Sequence, residues 1–317
     1  MSVEFSPLVD GELGDWGAQA RQRDLLLRQL PMTGEDAALA PVAESRTHQR
    51  FAARLVDGRP GPGQVVEEVR LEGRPAGWVW LGQASPDELE VLDLALTDPA
   101  DASAVRTRLE QRCRDHQVRR LVLTMLPADP AHRAFAAAGP MDPVATRMRL
   151  DLTDPPGTTR GPVTLRSLSA AGTDAYLGTA VQRFAATLRR DSPWLDESES
   201  LAQSHATHAR ILPRGAATPG HAFLAPEVDG ERVGTLWVSL CAPAGYVYDV
   251  RLDAERRGRG LGRATMDAGA AWCQARGVRA LGLNVFAYND TARALYDSLG
   301  YQPVECGVVV PIRPRRG

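Results

Sequence analysis

The sequence contains no lysine, although it carries 37 basic residues in total. Without lysine the chain cannot form the amine Schiff bases that aldolases and pyridoxal-phosphate enzymes use. It also cannot build a P-loop, in which a glycine-rich turn ends in lysine followed by serine or threonine. Lysine-based carbonyl chemistry and P-loop nucleotide hydrolysis are therefore excluded.

Net charge and cysteine are also scarce. A net charge of −2 gives no reason to expect a nucleic acid or a membrane surface as partner. The start of the chain lacks the basic and apolar segments of a signal peptide, and no run approaches the roughly 20 apolar residues of a membrane span. Disulfide frameworks are denser in cysteine, so a cytoplasmic chain with reduced thiols is expected, the four cysteines being Cys113, Cys241, Cys273 and Cys306.

Histidine is scarce as well, with six in the chain. His205 and His208 stand three positions apart on a predicted helix over 197–212, which could hold a metal ion. No carboxylate or cysteine joins them at ligand spacing, so we expect no metal and a solvated helix face. The acidic run Asp196–Glu199 predicts the start of this helix, where negative charge suits the dipole, and it could also attract a cationic substrate.

The stretch from Tyr248 to Tyr301 carries the strongest signal. A short strand, Tyr248 to Leu252, leads to a basic, glycine-rich turn that opens a helix. Glycine lets the backbone approach a ligand closely, and the first amides of a helix together with its dipole favour an anion. The pattern therefore predicts a phosphate or pyrophosphate site at the turn Arg257-Gly258-Arg259-Gly260-Leu261-Gly262-Arg263. The helix that follows has apolar positions at Leu261, Ala264, Ala268, Ala271, Trp272 and Ala275.

A dinucleotide fingerprint does not fit this turn, because Thr265 occupies the place of its third glycine. The pattern R-x-x-G-x-G after a strand resembles instead the pyrophosphate loop of GNAT-superfamily N-acyltransferases, which bind acetyl-coenzyme A. A second motif of the same superfamily begins within a strand over Ala280 to Val285 and continues through a helix that ends at Gly300. It is met in full by Leu283, Val285, Asn289, Ala292, Leu295, Tyr296, Gly300 and Tyr301.

The resemblance implies an α/β fold, with a mixed, mostly antiparallel sheet flanked by helices and two central strands that separate. It implies that the main chain of Val250 and Leu252 binds the pantetheine arm of acetyl-CoA, and that the amides from Arg257 to Arg263 take the pyrophosphate. Asn289 is implied near the thiol end. An amine would attack the thioester directly in a ternary complex, so no enzyme nucleophile is needed.

The resemblance implies Tyr296 as the general acid that protonates the leaving thiolate, although its place on the apolar stripe of its helix also suits core packing. The base is less clear. Ribosomal-protein acetyltransferases carry a glutamate where this chain has Asn284. Asp249, before the turn, is the candidate base, with a salt bridge to an arginine as the alternative. His221 is a second candidate, and an amine that arrives deprotonated needs no base.

The first half of the chain repeats the second. Gly77 and Trp80 match Gly234 and Trp237, 157 positions apart. A repeat of this size indicates two copies of one domain rather than a solenoid. The matched segments include Val91–Leu96 with Val247–Leu252 and Arg119–Leu126 with Arg279–Phe286. We therefore predict a GNAT-like domain over 1–153, a linker over 154–162 and a catalytic domain over 163–317.

The first copy lacks the residues that carry the chemistry. No glycine-rich turn follows Leu96, and Asp98 and Asp101 stand there instead. Asp129 takes the place of Asn289, and Ala136 that of Tyr296. We expect a degenerate copy with a structural role, the alternative being a second coenzyme held in a divergent way.

The sequence thus predicts a tandem N-acetyltransferase that uses acetyl-CoA as co-substrate and acts on a small-molecule or peptide amine, as a monomer or homodimer. Two alternatives stay open. One is a protein of the same fold that binds acyl-CoA without catalysis, as a sensor or regulator. The other is a biosynthetic acyltransferase of the mycothiol-synthase type, whose tandem members share this size and layout and use one aminosugar-type acceptor.

Overall fold

A computed structural model describes residues 2–34, 36–153, 161–191 and 195–313 of the chain. A π-helical turn, Leu25–Gln29, joins the first two helices. The helices in chain order are α1 (Asp10–Asp24), α2 (Leu30–Thr33), α3 (Ala40–Ala52), α4 (Ala102–Asp115), α5 (Pro130–Ala137), α6 (Ala170–Asp191), α7 (Glu197–Ile211), α8 (Leu261–Gln274) and α9 (Asp290–Ser298).

The strands of the described part lie singly or in groups between these helices. In chain order they are β1 (Val3–Pro7), β2 (Leu55–Val56), β3 (Arg59–Pro60), β4 (Gln64–Leu71), β5 (Arg74–Ser85), β6 (Glu88–Leu96), β7 (Arg120–Met125), β8 (Asp142–Asp151), β9 (Thr164–Ser167), β10 (His221–Val228), β11 (Glu231–Arg232), β12 (Gly234–Cys241), β13 (Ala244–Leu252), β14 (Ala280–Phe286) and β15 (Gln302–Pro311).

Contacts between residues group the chain into two compact units. The first unit comprises Met1–Arg149 together with Asn284–Gly317, and the second comprises Leu150–Leu283. The helix α9 and the strand β15 therefore group with the N-terminal half of the chain. The domain boundaries read from the sequence stay a prediction, and residues 154–160 of the predicted linker lie outside the described part.

The sheet of the first unit runs in the order β1-β4-β5-β6-β7-β15-β8. Its neighbours are antiparallel except for β6 and β7, which are parallel. The last strand of the chain, β15, lies between β7 and β8, and its Val308 and Val310 are buried in the core with Leu109 and Phe135. The C-terminal strand is thus part of the N-terminal core.

The second unit contains β13 between β12, which is antiparallel to it, and the first residues of β14, which are parallel. The strands β9, β11 and β12 all pair with β10. On one face, α6 and α7 pack Tyr176 and neighbouring apolar side chains against Phe223 and Trp237. The capping box of Asp196 and Glu199 at the start of α7 confirms the predicted helix start.

The helix α8 after the glycine-rich turn is present as predicted, but its buried side is not the side that carries the apolar positions read from the sequence. The buried side is made by Thr265, Met266, Gly269 and Cys273, whereas Ala275 on the predicted face is exposed. A Cβ atom at Gly269 would lie 2.8 Å from Leu236 of β12. The side of the helix that contains Gly269 therefore faces the sheet, because glycine has no Cβ atom that would collide with Leu236.

The two units share their local irregularities, which confirms the predicted fold of two copies. Each has a register shift next to a tryptophan, after Trp80 in β5 and after Trp237 in β12. A Cβ atom at Gly77 would lie 2.0 Å from the carbonyl oxygen of Ala95, and one at Gly234 would lie 2.0 Å from that of Arg251. Only glycine fits either place, which explains the repeated glycine. No helix in the described ranges is long and apolar enough to cross a membrane.

Candidate active site

The strand β13 continues beyond the end of its parallel ladder with β14. Its pairs with β14 run from Ala244 opposite Ala280 to Val247 opposite Leu283, and β13 goes on to Leu252. The two parallel strands therefore share only their first four residues in register. The part of β13 that follows contains Asp249, Val250 and Leu252, three residues of the predicted site.

The predicted turn between β13 and α8 is present. Ala254–Arg256 forms a single 3-10 turn, and α8 begins at Leu261. Gly258 and Gly260 have φ angles of +72° and +75°, a region that other L-residues enter at a cost of about 1–2 kcal/mol. A Cβ atom at either glycine would meet no atom within 4 Å, so the turn is open on this side.

The turn has the chemistry of an anion site. The first amides of α8 have no carbonyl one turn earlier to bind, and the helix dipole adds a partial positive charge. Arg257, Arg259 and Arg263 are all exposed around the turn. The guanidinium of Arg257 donates from Nε to the carbonyl of Leu252 at 3.2 Å, which links the turn to the end of β13. These residues fit a pyrophosphate.

Asp249 is held by two side chains of α6. The hydroxyl of Tyr176 donates to its Oδ2 at 2.8 Å, and Arg183 donates to the same oxygen at 3.1 Å. The guanidinium of Arg183 also lies 5.5 Å from the centre of the Tyr176 ring. Burial and the adjacent Asp249 carboxylate raise the pKa of Tyr176, so this phenol stays protonated and donates. The alternative for Asp249, a salt bridge with an arginine, is therefore realised.

The first unit repeats this ion pair. Arg23 binds Asp93 there, and these residues correspond to Arg183 and Asp249 in the repeat. The two aspartates differ in exposure: the Asp93 side chain is 12% exposed and the Asp249 side chain is 34% exposed. The ion pair is therefore present in both copies, and the Asp249 carboxylate is the more exposed of the two. Sequence reasoning missed Tyr176 and Arg183; the match of Arg23 with Arg183, 160 positions apart, was the available signal.

His221, the second candidate base, is engaged by a tryptophan. The indole Nε1 of Trp237 donates to its Nδ1 at 3.0 Å, so the neutral ring carries its proton on Nε2. Burial lowers the pKa of His221. His221 is therefore a weaker candidate base than Asp249, because its unprotonated nitrogen already accepts a hydrogen bond and burial disfavours its protonation.

Asn289 immediately precedes α9 and Tyr296 lies on it, and both belong to the first unit. The side-chain oxygen of Asn289 accepts the amide N–H of Ala292 at 3.2 Å and caps the helix. Its amide nitrogen remains available to a ligand by its chemistry. Tyr296 is 7% exposed, and its ring centre lies 5.7 Å from that of Tyr301. The stripe predicted for this helix is its covered side. The coenzyme-binding role of Asn289 and the catalytic role of Tyr296 stay predictions.

Comparisons with known proteins agree with this fold and turn. The family model described as "Acetyltransferase (GNAT) family" matches residues 183–301. The uncharacterized N-acetyltransferase YycN of Bacillus subtilis is 30% identical over 136 residues, which cover 41% of this chain and 86% of the relative. A mycothiol acetyltransferase of Beutenbergia cavernae is 30% identical over 137 residues, or 40% of this chain and 46% of that protein.

Among solved structures, a GCN5-related N-acetyltransferase from Sphaerobacter thermophilus matches with a TM-score of 0.52 and 18% identity. The match covers 98% of this chain and 96% of the other, and at this identity it shows the fold alone. Fold, turn and relatives together define an acyltransferase. The chain belongs to the GNAT family of acetyltransferases.

Proposed function

We propose that the protein transfers an acetyl group from acetyl-CoA directly to an amine on a small molecule or peptide. The observation that carries this proposal is the turn from Arg257 to Arg263, where two positive-φ glycines and three exposed arginines surround the start of α8. A pyrophosphate bound there would leave the pantetheine arm to follow Val250 and Leu252 on β13. Positioning of the two reactants can lower the barrier by about 7–11 kcal/mol without a protein nucleophile.

In this proposal two side chains move protons. Asp249 accepts a proton from the acceptor amine through the carboxylate oxygen that Tyr176 and Arg183 leave open, since both bind Oδ2. Tyr296 donates a proton to the departing thiolate of coenzyme A. When bound, acetyl-CoA supplies the activated acyl group.

The test is release of coenzyme A thiol from acetyl-CoA in the presence of a panel of amines, with Gly260→Asp as the comparison. We expect acceptor-dependent thiol release by the native chain. In the variant we expect it to be lost, because a carboxylate at the turn repels the pyrophosphate and strains a φ of +75°. Binding of acetyl-CoA without thiol release for any amine would instead favour the sensor or regulator of the same fold.

A biosynthetic acyltransferase of the mycothiol type is the second candidate. It is favoured by relatives named mycothiol acetyltransferase, one of them 42% identical over 90 residues, although this chain covers only 30% of that protein. The amine panel separates the two cases. A general amine acetyltransferase accepts several amines at comparable kcat/KM, whereas a dedicated enzyme accepts an aminosugar-type amine alone.

We expect Asp249→Asn to lower kcat by roughly 10²-fold or more, because the amide cannot accept a proton. Asparagine still fits between Tyr176 and Arg183, so the fold should be retained. Glu255→Gln, on the exposed 3-10 turn, is the matched control and should keep native rates. An Asp249→Asn enzyme with a native kcat but a lower melting temperature would show that Asp249 only braces α6.

A further inference from the structure

The parallel strands of the first unit separate at one place, and a histidine fills the gap. The ladder between β6 and β7 runs from Glu88 opposite Arg120 to Val91 opposite Leu123. If this register continued, Leu94 would pair with Leu126. Instead the imidazole of His132 lies between them: the amide of Leu126 donates to Nδ1 at 2.9 Å, and Nε2 lies 3.0 Å from the carbonyl oxygen of Leu94. His132 is 3% exposed.

The contacts fix the protonation of this ring. Because Nδ1 accepts from the amide of Leu126, the proton of the neutral ring is on Nε2, which donates to Leu94. Burial and the nearby Arg23 guanidinium lower the pKa of His132, while Asp129 and Asp93 oppose the shift. The ring is therefore neutral near pH 7, and each of its nitrogens satisfies one main-chain group of the gap.

Charged side chains close the rest of this gap. Arg23 of α1 binds the carboxylates of both Asp93 and Asp129, and Asp93 also accepts the indole N–H of Trp78 at 3.1 Å. Asp129 caps α5 by accepting the amide of Ala131 at 2.8 Å. Arg23 and both of its partner carboxylates have side chains no more than 13% exposed. A ligand entering here would have to break a buried ion-pair network.

The second copy differs at each of these positions. In the repeat, His132 corresponds to Ala292, Asp129 to Asn289, and Leu94 to Val250. Val250 is the residue whose main chain is proposed to bind the pantetheine arm. The main-chain carbonyl that a coenzyme would use in one copy is thus already bonded to a histidine side chain in the other.

The segment after β6 gives a second, independent observation. Where the second copy has its glycine-rich turn, the first has a 3-10 turn, Pro99–Asp101, capped by the carboxylate of Asp98. Asp101 is 4% exposed and binds Arg74 at 2.8 Å. An aspartate pair and a proline stand where a pyrophosphate would need amides and positive charge.

We infer that His132 is a built-in ligand that closes the coenzyme groove of the N-terminal copy, so that this copy binds no acyl carrier. The inference concerns only the first unit and does not depend on the roles proposed for Asp249 or Tyr296. The histidine does in this copy what the pantetheine is proposed to do in the other: it satisfies the main chain where the parallel strands separate.

The test measures by calorimetry how many acetyl-CoA molecules bind per chain. Nitrogen NMR follows the tautomer and chemical shifts of the His132 ring before and after addition of acetyl-CoA. We expect one acetyl-CoA per chain, none for Gly260→Asp, and a His132 ring that keeps its Nε2–H tautomer and chemical shifts at saturation. His132→Ala, which assigns the signal, should lower the melting temperature by roughly 4–8 °C through loss of two buried hydrogen bonds.

Two molecules per chain, one molecule retained by Gly260→Asp, or a His132 signal displaced by acetyl-CoA would each overturn the inference. If the native chain binds no acetyl-CoA at all and His132 keeps its doubly bonded tautomer, the groove is closed as inferred, and it is the proposed function that fails. The two failures are therefore distinguishable.

Discussion

Tyr296→Phe is expected to lower kcat by roughly 10²- to 10⁴-fold while leaving the KM for acetyl-CoA close to its native value. The phenol hydroxyl is proposed to protonate the thiolate as it leaves, and phenylalanine removes only that hydroxyl. Since the ring is 7% exposed on the covered side of α9, phenylalanine keeps its packing. Steady-state kinetics of thiol release, with the melting temperature measured in parallel, check this expectation.

Tyr301→Phe is the matched control for this prediction. Tyr301 is 2% exposed, lies 5.7 Å from Tyr296 between ring centres, and would also lose one hydroxyl. We expect it to keep a kcat within a few-fold of native. Equal losses in the two variants would mean that Tyr296 is a packing residue, which the apolar stripe of its helix also allows. A loss confined to Tyr296→Phe separates acid catalysis from packing.

The sequence predicted the local structure because each pattern used lies within a short stretch of the chain. The turn with Gly258 and Gly260, the cap at Asn289 and the stripe through Tyr296 each involve residues within one or two helical turns. The repeat added the tandem fold. The apolar positions of α8 did not mark its buried side, because the side that contains Gly269 is the one that approaches the sheet closely.

Long-range pairings gave no such local signal. Nothing in the composition of β15 indicates that this strand pairs with β7 and β8, more than 150 residues earlier in the chain. The contacts of Tyr176 and Arg183 with Asp249 join residues 66 or more positions apart. His132 looked like an ordinary helix residue, because its partners Leu94 and Leu126 offer main-chain groups, which have no residue-type signature.

The strand β15 contributes a carboxylate to a buried charge cluster in the first unit. Glu305 of β15 accepts Arg28 at 2.8 Å and Arg147 at 2.9 Å, and Arg28 also binds Asp24 at 3.2 Å. The side chains of Glu305 and Arg28 are 6% and 4% exposed. Burial alone would raise the pKa of Glu305, but Arg28 and Arg147 hold it below its usual value. The carboxylate therefore stays charged and links the C-terminal strand to the N-terminal helices.

Glu305→Leu is expected to destabilise the protein by about 3–5 kcal/mol, because it leaves the buried Arg28 with only part of its counter-charge. Chemical denaturation with a far-ultraviolet circular dichroism readout would measure the free energy of unfolding. A group with a lowered pKa stabilises the fold above its unfolded pKa, about 4.3 for glutamate, and loses this effect as the pH falls through its folded pKa. The native chain and the variant should therefore converge in stability at acidic pH.

The double variant Arg28→Met, Glu305→Leu tests the cause. It removes both charges and keeps similar volumes, so most of the stability lost in Glu305→Leu should return, since uncharged packing can replace a buried ion pair at little cost. If the double variant is as unstable as the sum of its single variants, the loss comes from packing around β15 and not from an unpaired arginine. Recovery would show that the loss in Glu305→Leu comes from the unpaired Arg28, because the pair costs more to break than to remove.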